Sequence, residues 1–233
     1  MNKRQKTVGM LAVLLLVVAA AVFALTRGGK NEAPQAGNLL VNGDFSAVTD
    51  GMPDGWSTGM WVTSAGASYL EAVTMADGTT AALVENAASN DARFEQTVSV
   101  RENATYRLTA RVMAENCGED HKGANVSFSG IYGTSADLHD TAGQWETLTL
   151  YARTGKGQRE VTVMARLGGY GSENSGKAWF TDVALEQVET VPVGETVLDL
   201  STPAPNKKTE NTAPTSMKER SIPPVSYTHL RAH

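Results

Sequence analysis

Between residues 106 and 112 the chain reads Tyr106-Arg107-Leu108-Thr109-Ala110-Arg111-Val112, apolar and polar side chains in strict alternation. A period of two puts every apolar group on one face, which predicts a β-strand half-buried in a core. The pattern returns at Val161, Val163, Ala165 and Leu167, opposite Thr162 and Arg166. Further strands are expected over 39–45, 68–74, 80–85, 94–100, 126–132, 145–151 and 178–185. Turn clusters separate them at Asp50-Gly51, Asp77-Gly78, 86–90, 155–157 and 168–176. No stretch from Asn38 to Leu185 holds a helical period over the ten or so residues a helix needs. Roughly nine short strands spaced by about 8–12 residues predict an all-β sandwich or barrel.

Charge narrows the partners. Residues 31–200 hold 10 Lys/Arg against 23 Asp/Glu, although the whole chain is only at −5. An acidic domain repels phosphate backbones, so nucleic acid is not an expected partner. The single cysteine, Cys117, excludes a disulfide framework and any multi-cysteine zinc site.

The first residues set the compartment. Residues 1–6 are basic, and 7–26 are an uncharged, largely apolar run of about 20 residues, long enough to cross a hydrocarbon core. The basic flank predicts a cytoplasmic amino end, with the rest exported. Two readings stand: an uncleaved single-pass signal anchor in the cell membrane, or a signal peptide cut near Val22-Phe23-Ala24. Residues 27–37 are a polar linker.

Asn38-Leu-Leu-Val-Asn-Gly-Asp-Phe45 with Pro53-Asp-Gly-Trp56 is followed in order by Phe94-Glu-Gln-Thr-Val98, Ala104-Thr-Tyr-Arg-Leu108, Gly143-Gln-Trp145 and Trp179-Phe-Thr-Asp-Val183. Over about 38–187, within a domain taken as 38–189, this series resembles the exported carbohydrate-binding modules of galactose-binding-like, jelly-roll fold. It implies a jelly-roll β-sandwich and a non-catalytic glycan-binding role. A narrower likeness runs through Asn90-Asp-Ala-Arg93, the stretch from Arg111 to Gly123-Ala-Asn125, and Ala165-Arg-Leu-Gly-Gly-Tyr170. These resemble the extracytoplasmic module of bacterial phospholipid-carrier-dependent glycosyltransferases related to protein mannosyltransferases. No motif of a membrane catalytic part is present, so an accessory region without the enzyme is implied.

The far end agrees with truncation. Residues 190–224 read as a Pro/Thr/Lys-rich linker, and 225–233 (VSYTHLRAH) resemble a translated sequencing adapter. The expectation is a membrane-tethered, extracytoplasmic module that binds a glycan or cell-envelope polysaccharide. A structural spacer or protein-interaction sandwich is the alternative.

Sugars are recognised by aromatic faces ringed with polar groups. Trp56, Tyr106, Trp145 and Trp179 are expected in structural positions. Trp61, Tyr69, Tyr132 and Tyr170 are candidate ligand-stacking rings, the last two where strands run into Gly-rich loops. Asn90, Asp91 and Arg93 are candidates for hydroxyl contacts. The resemblance also implies a structural Ca2+ held by Asp44 and Asp182, although Ser46 stands where the family often carries a carboxylate. Asp44 alone could instead brace its turn through an Asx-type bond. Catalysis has little support: His121, His139, His229 and His233 lack ligand spacing, and Cys117 has no sequence-readable base.

Overall fold

A computed structural model describes residues 35–201. The expected membrane segment at 7–26, most of the 27–37 linker, the 202–224 portion of the second linker and the 225–233 tail lie outside the described residues.

The described chain is all β, with twelve strands in chain order: β1 Val48–Thr49, β2 Met52–Pro53, β3 Ser57–Met60, β4 Ser68–Thr74, β5 Thr80–Asn90, β6 Ala92–Ser99, β7 Thr105–Glu115, β8 Ala124–Phe128, β9 Glu146–Arg153, β10 Glu160–Leu167, β11 Asn174–Val188 and β12 Val197–Asp199. Beside the small β1-β2 hairpin, two large sheets form, a four-stranded one in the order β3-β6-β10-β8 and a six-stranded one in the order β12-β9-β7-β11-β5-β4. The predicted parity of β7 holds: Tyr106, Leu108, Ala110, Val112 and Ala114 are all buried. They join Val163, Ala165 and Leu167 of β10, Phe94 of β6 and Phe180 and Leu185 of β11 in one hydrophobic core between the layers. A β-sandwich follows directly, because each sheet hides one apolar face against the other.

The opening segment departs from expectation. Residues 39–45 form no strand, because Asn42 and Phe45 take positive φ of 51° and 55°. The segment instead docks on β11 through Leu39 N–H to Leu185 O (2.9 Å) and Val183 N–H to Gly43 O (2.8 Å). That docking coincides with a register shift of β11 between Thr181 and Ala184. A Cβ on Gly43 would lie 2.1 Å from the Val183 carbonyl oxygen, so only glycine permits the approach. The turn then drives Phe45 into the core, 5.0 Å from the Trp56 ring and 6.3 Å from Phe94 between centroids. Asp50-Gly51, both at positive φ, closes the β1–β2 hairpin as a primed two-residue turn does.

Three other boundaries differ. The 86–90 cluster is the end of β5 rather than a turn, since Asn86 and Asn90 are buried and hydrogen-bonded. β8 stops at Phe128 instead of continuing to 132. The folded unit also runs past 189: β12 pairs in parallel with β9, and Leu200, 6% exposed, joins the core. Short edge strands such as β3 and β12 carry too few residues for alternation to show.

Candidate functional site

In a paired ladder, opposed residues share a face. Arg166 lies opposite both Arg93 and Asn125, and Met164 opposite both Glu95 and Ser127. Gly59 and Ser57 of β3 extend the two rows, opposite Arg93 and Glu95. Beyond β8, Ser127 bridges to Thr134. These side chains occupy the face of the four-stranded sheet turned away from the core. Its third row is Thr97 and Thr162, whose hydroxyls lie 2.7 Å apart. Both also line a cavity of about 270 Å³ with Phe128, Ser129 and Leu200.

The face is polar, yet its centre is closed to solvent. Arg166 is 1% exposed, Asn125 and Ser127 are 0%, and Met164 is 1%. Arg166 Nε donates to Asp91 Oδ1 at 3.1 Å and its Nη2 to Asp91 Oδ2, a fork-on-fork pair. Arg93 Nε donates to Glu95 at 2.9 Å, its guanidinium lying over Gly59, where a Cβ would meet Nη2 at 2.8 Å. Lys122 Nζ donates to Asp137 Oδ2 at 2.9 Å. Asn125 Nδ2 donates to the Gly123 and Gly168 carbonyls and to Asp137 Oδ1, which orients the amide. Three buried atoms here have no hydrogen-bond partner: Asn125 Oδ1, Ser127 Oγ and Arg166 Nη1. Natural cores leave few such groups, because each costs about 1–3 kcal/mol.

Exposed rings stand around this strip. Trp61, 71% exposed, follows β3 on the parity of Gly59, and its N–H donates to the Asp91 carbonyl at 3.0 Å. Tyr132 and Tyr170, 51% and 43% exposed, meet edge to face at 5.5 Å. The Tyr170 hydroxyl accepts the Gly130 N–H at 2.8 Å, and the Arg166 guanidinium sits 5.0 Å from the Tyr170 centroid. Three of the four ring candidates therefore share one face.

The remaining candidates divide. Tyr69 is exposed but pairs with Glu85 on the outer face of the other sheet, apart from the strip. Asn90 is not a loop residue: it is fully buried, its Oδ1 accepts from Val62 and Asp91 N–H, and its Nδ2 donates to Val62 O and Ser68 Oγ. Its bonds clamp the chain just after Trp61, so it positions that ring. Asp91 likewise is committed to Arg166. Arg93 does lie on the strip. Arg166, Asn125 and Ser127 were not among the sequence candidates; their only signal was a shared polar parity in two strands.

Asp44 and Asp182 line a second, shallow cavity with Asn38 and Asn42. Each carboxylate has one oxygen engaged within the protein. Arg111 Nη1 bonds Asp182 at 3.2 Å, Ser46 N–H and Oγ donate to Asp44 Oδ1, and Asn38 Oδ1 accepts from Leu40 and Leu185. A Ca2+ shell takes six to eight oxygens, and beyond these two carboxylates, one of them shared with Arg111, no acidic side chain lines this cavity. Asp44 braces its own turn, and Arg111 is the cation beside Asp182. Among the described residues no group of three or more His, Cys, Asp or Glu could hold a metal. Burial pushes the Cys117 thiol up to about 11, the wrong direction for a nucleophile.

No protein-family model matches the chain. No curated protein matches it either. Among solved structures, a Stig cyclase from Fischerella sp. TAU is similar at 19% identity and a TM-score of 0.46, over 66% of this chain and 98% of that one. A carbohydrate-binding module described as CBM4 is similar at 18% identity and 0.43, over 63% and 98%. A CBM61 module in complex with β-1,4-galactotriose is similar at 17% identity and 0.44, over 65% and 99%.

Proposed function

We propose that this chain is a non-catalytic glycan-binding β-sandwich of jelly-roll type, which reads sugars with the outer face of its four-stranded sheet. One observation carries the reading: Trp61 and the Tyr132–Tyr170 pair project from a face whose middle is a buried polar row containing unpartnered hydrogen-bonding atoms. A pyranose presents apolar C–H patches and a rim of hydroxyls, and this face offers rings for the first and polar atoms for the second. The supporting chemistry is binding chemistry. The strip's carboxylates, Asp91, Glu95 and Asp137, are each held by a cation.

The apolar run at 7–26 supports a tether in the cell membrane with the sandwich outside. The motif likeness supports a place as the N-terminal accessory region of an envelope glycosyltransferase. The test of the binding role is the full chain in detergent on an array of plant, fungal and bacterial glycans. Retention of one glycan class is expected, weakened about tenfold in Trp61→Ala, the scale of one lost stacking contact. An array without a single retained glycan overturns the reading.

A further inference from the structure

The unpartnered atoms on the outer face of the four-stranded sheet differ in kind. Arg166 Nη1 can only donate, Asn125 Oδ1 can only accept, and Ser127 Oγ can do either. Asn125 and Ser127 alternate along β8, and Arg166 stands opposite Asn125 on β10, so the three lie on two adjoining rows of one face. The charges around them are already matched: Asp91 with Arg166, Glu95 with Arg93, Asp137 with Lys122. We infer that this floor takes an uncharged vicinal diol, a pair of neighbouring hydroxyls on a neutral sugar unit, an inference that rests on the glycan-binding reading above. One hydroxyl of such a pair accepts from Arg166 Nη1, and the other donates to Asn125 Oδ1. Ser127 Oγ completes either hydroxyl.

A carboxylate suits the floor poorly. It could accept from Arg166, but it has no proton for Asn125 Oδ1. It would also bring a fourth, unmatched anion into a site where Asp91, Glu95 and Asp137 have consumed the cations.

The Arg166 end of the floor is reached by displacing Tyr170. Four side chains on an outer face, Arg166, Asn125, Ser127 and Met164, are all at most 1% exposed although the opposite sheet covers only the other side. The Tyr170 ring rests against Arg166 at one end, and its hydroxyl is fastened to Gly130, past the end of β8, at the other. The ring thus reaches from the turn after β10 to the turn after β8, with Tyr132 braced against it. Gly169 and Ser172 exchange two main-chain hydrogen bonds across this turn, so the ring moves by rotation about its own side-chain bonds while the turn stays closed.

The experiment titrates the full chain in detergent with β-1,4-linked oligosaccharide pairs that differ only in oxidation at C6: mannan against mannuronan and glucan against glucuronan. The neutral member is expected to bind about tenfold tighter or more, as one unmatched polar group dictates. Ser127→Ala is the decisive variant. Its hydroxyl has no partner in the protein, so the fold keeps its stability while neutral-sugar affinity falls about three- to tenfold. Tyr170→Phe keeps the ring and releases the Gly130 bond, so association is expected to be several-fold faster. A uronate, which keeps the same C2–C3 diol, overturns the assignment to a neutral unit if it binds as well as its neutral partner, and leaves glycan binding standing. Unchanged affinity in Ser127→Ala, or an unchanged association rate in Tyr170→Phe, overturns it too. No binding by any member removes the glycan-binding reading itself.

Discussion

Arg166 and Asp91 are joined by two parallel hydrogen bonds, Nε to Oδ1 at 3.1 Å and Nη2 to Oδ2, with side chains only 1% and 10% exposed. Asp91 is the residue between β5 and β6, where the chain leaves the six-stranded sheet and enters the four-stranded one. The pair therefore holds the crossing point to the centre of the polar strip. Through the Asp91 carbonyl it also fixes the main chain at Trp61.

Removing one partner should be worse than removing both. Asp91→Ala leaves the Arg166 guanidinium buried without its anion and is expected to cost about 3–5 kcal/mol in urea unfolding. The double change Asp91→Leu with Arg166→Met exchanges the pair for apolar bulk and should recover most of that loss. Equal or additive losses in the double variant would contradict the pairing.

Two tryptophans close in sequence should behave oppositely. Trp56, 7% exposed, packs on Phe45 and donates its Nε1–H to the Asn42 carbonyl, so Trp56→Ala should cost about 3–5 kcal/mol. Trp61→Ala touches little of the core and should stay within about 0.5 kcal/mol of wild type. Thermal melts of the two variants decide it, and similar midpoints would refute the assignment.

Calcium should not stabilise this protein. With Arg111 beside Asp182 and Ser46 on Asp44, adding millimolar Ca2+ or a chelator is expected to leave Tm unmoved, because only a ligand of the native state shifts it. A rise of several degrees with Ca2+, lost on chelation, would restore the metal.

Cys117 gives a pH signature. Burial raises its thiol from an ordinary 9.0 to about 11, so the folded state holds the proton more tightly than the unfolded one. The corresponding stability is fully present below pH 9 and is lost as pH rises through about 11. Wild type should therefore lose more stability than Cys117→Ala across that window in denaturant titrations. At pH 8 the native thiol should resist a disulfide reagent until urea is added. Rapid native labelling would show that the thiol is not sealed.

Much of the fold was legible because alternation is a local property. Residues 68–74 were expected as a strand and form β4 to the residue, and the buried parity of Tyr106, Leu108, Ala110 and Val112 came out as the pattern required. The opening 39–45 was misread because Asn42 and Phe45 at positive φ interrupt an apolar run that resembles a strand in composition. Asn86–Asn90 looked like a turn because its residues are turn formers. Here they are instead held by tertiary hydrogen bonds to Leu167 and Asn174 carbonyls and to the Val62 main chain.

The site was legible only in its rings. Trp61, Tyr132 and Tyr170 stood out as aromatics near turns, but nothing local separates them from Tyr69, which faces the other way. Asn90 and Asp91 looked like exposed loop polars and are buried supports. Arg166, Asn125 and Ser127 looked like the solvent side of two ordinary strands.

Side-chain period and turn residues, which act between near neighbours in the chain, were enough to specify strands, their buried faces and a two-layer core. Which strands become neighbours is settled by contacts between residues far apart in sequence, and those depend on closing long loops and on the fit of the whole core. Only that closure set Asp91 against Arg166, 75 positions away, and brought Tyr132 to Tyr170 beside the Arg166 guanidinium. An alternating strand states that one face is polar; the assembled sheet decides what that polar face confronts.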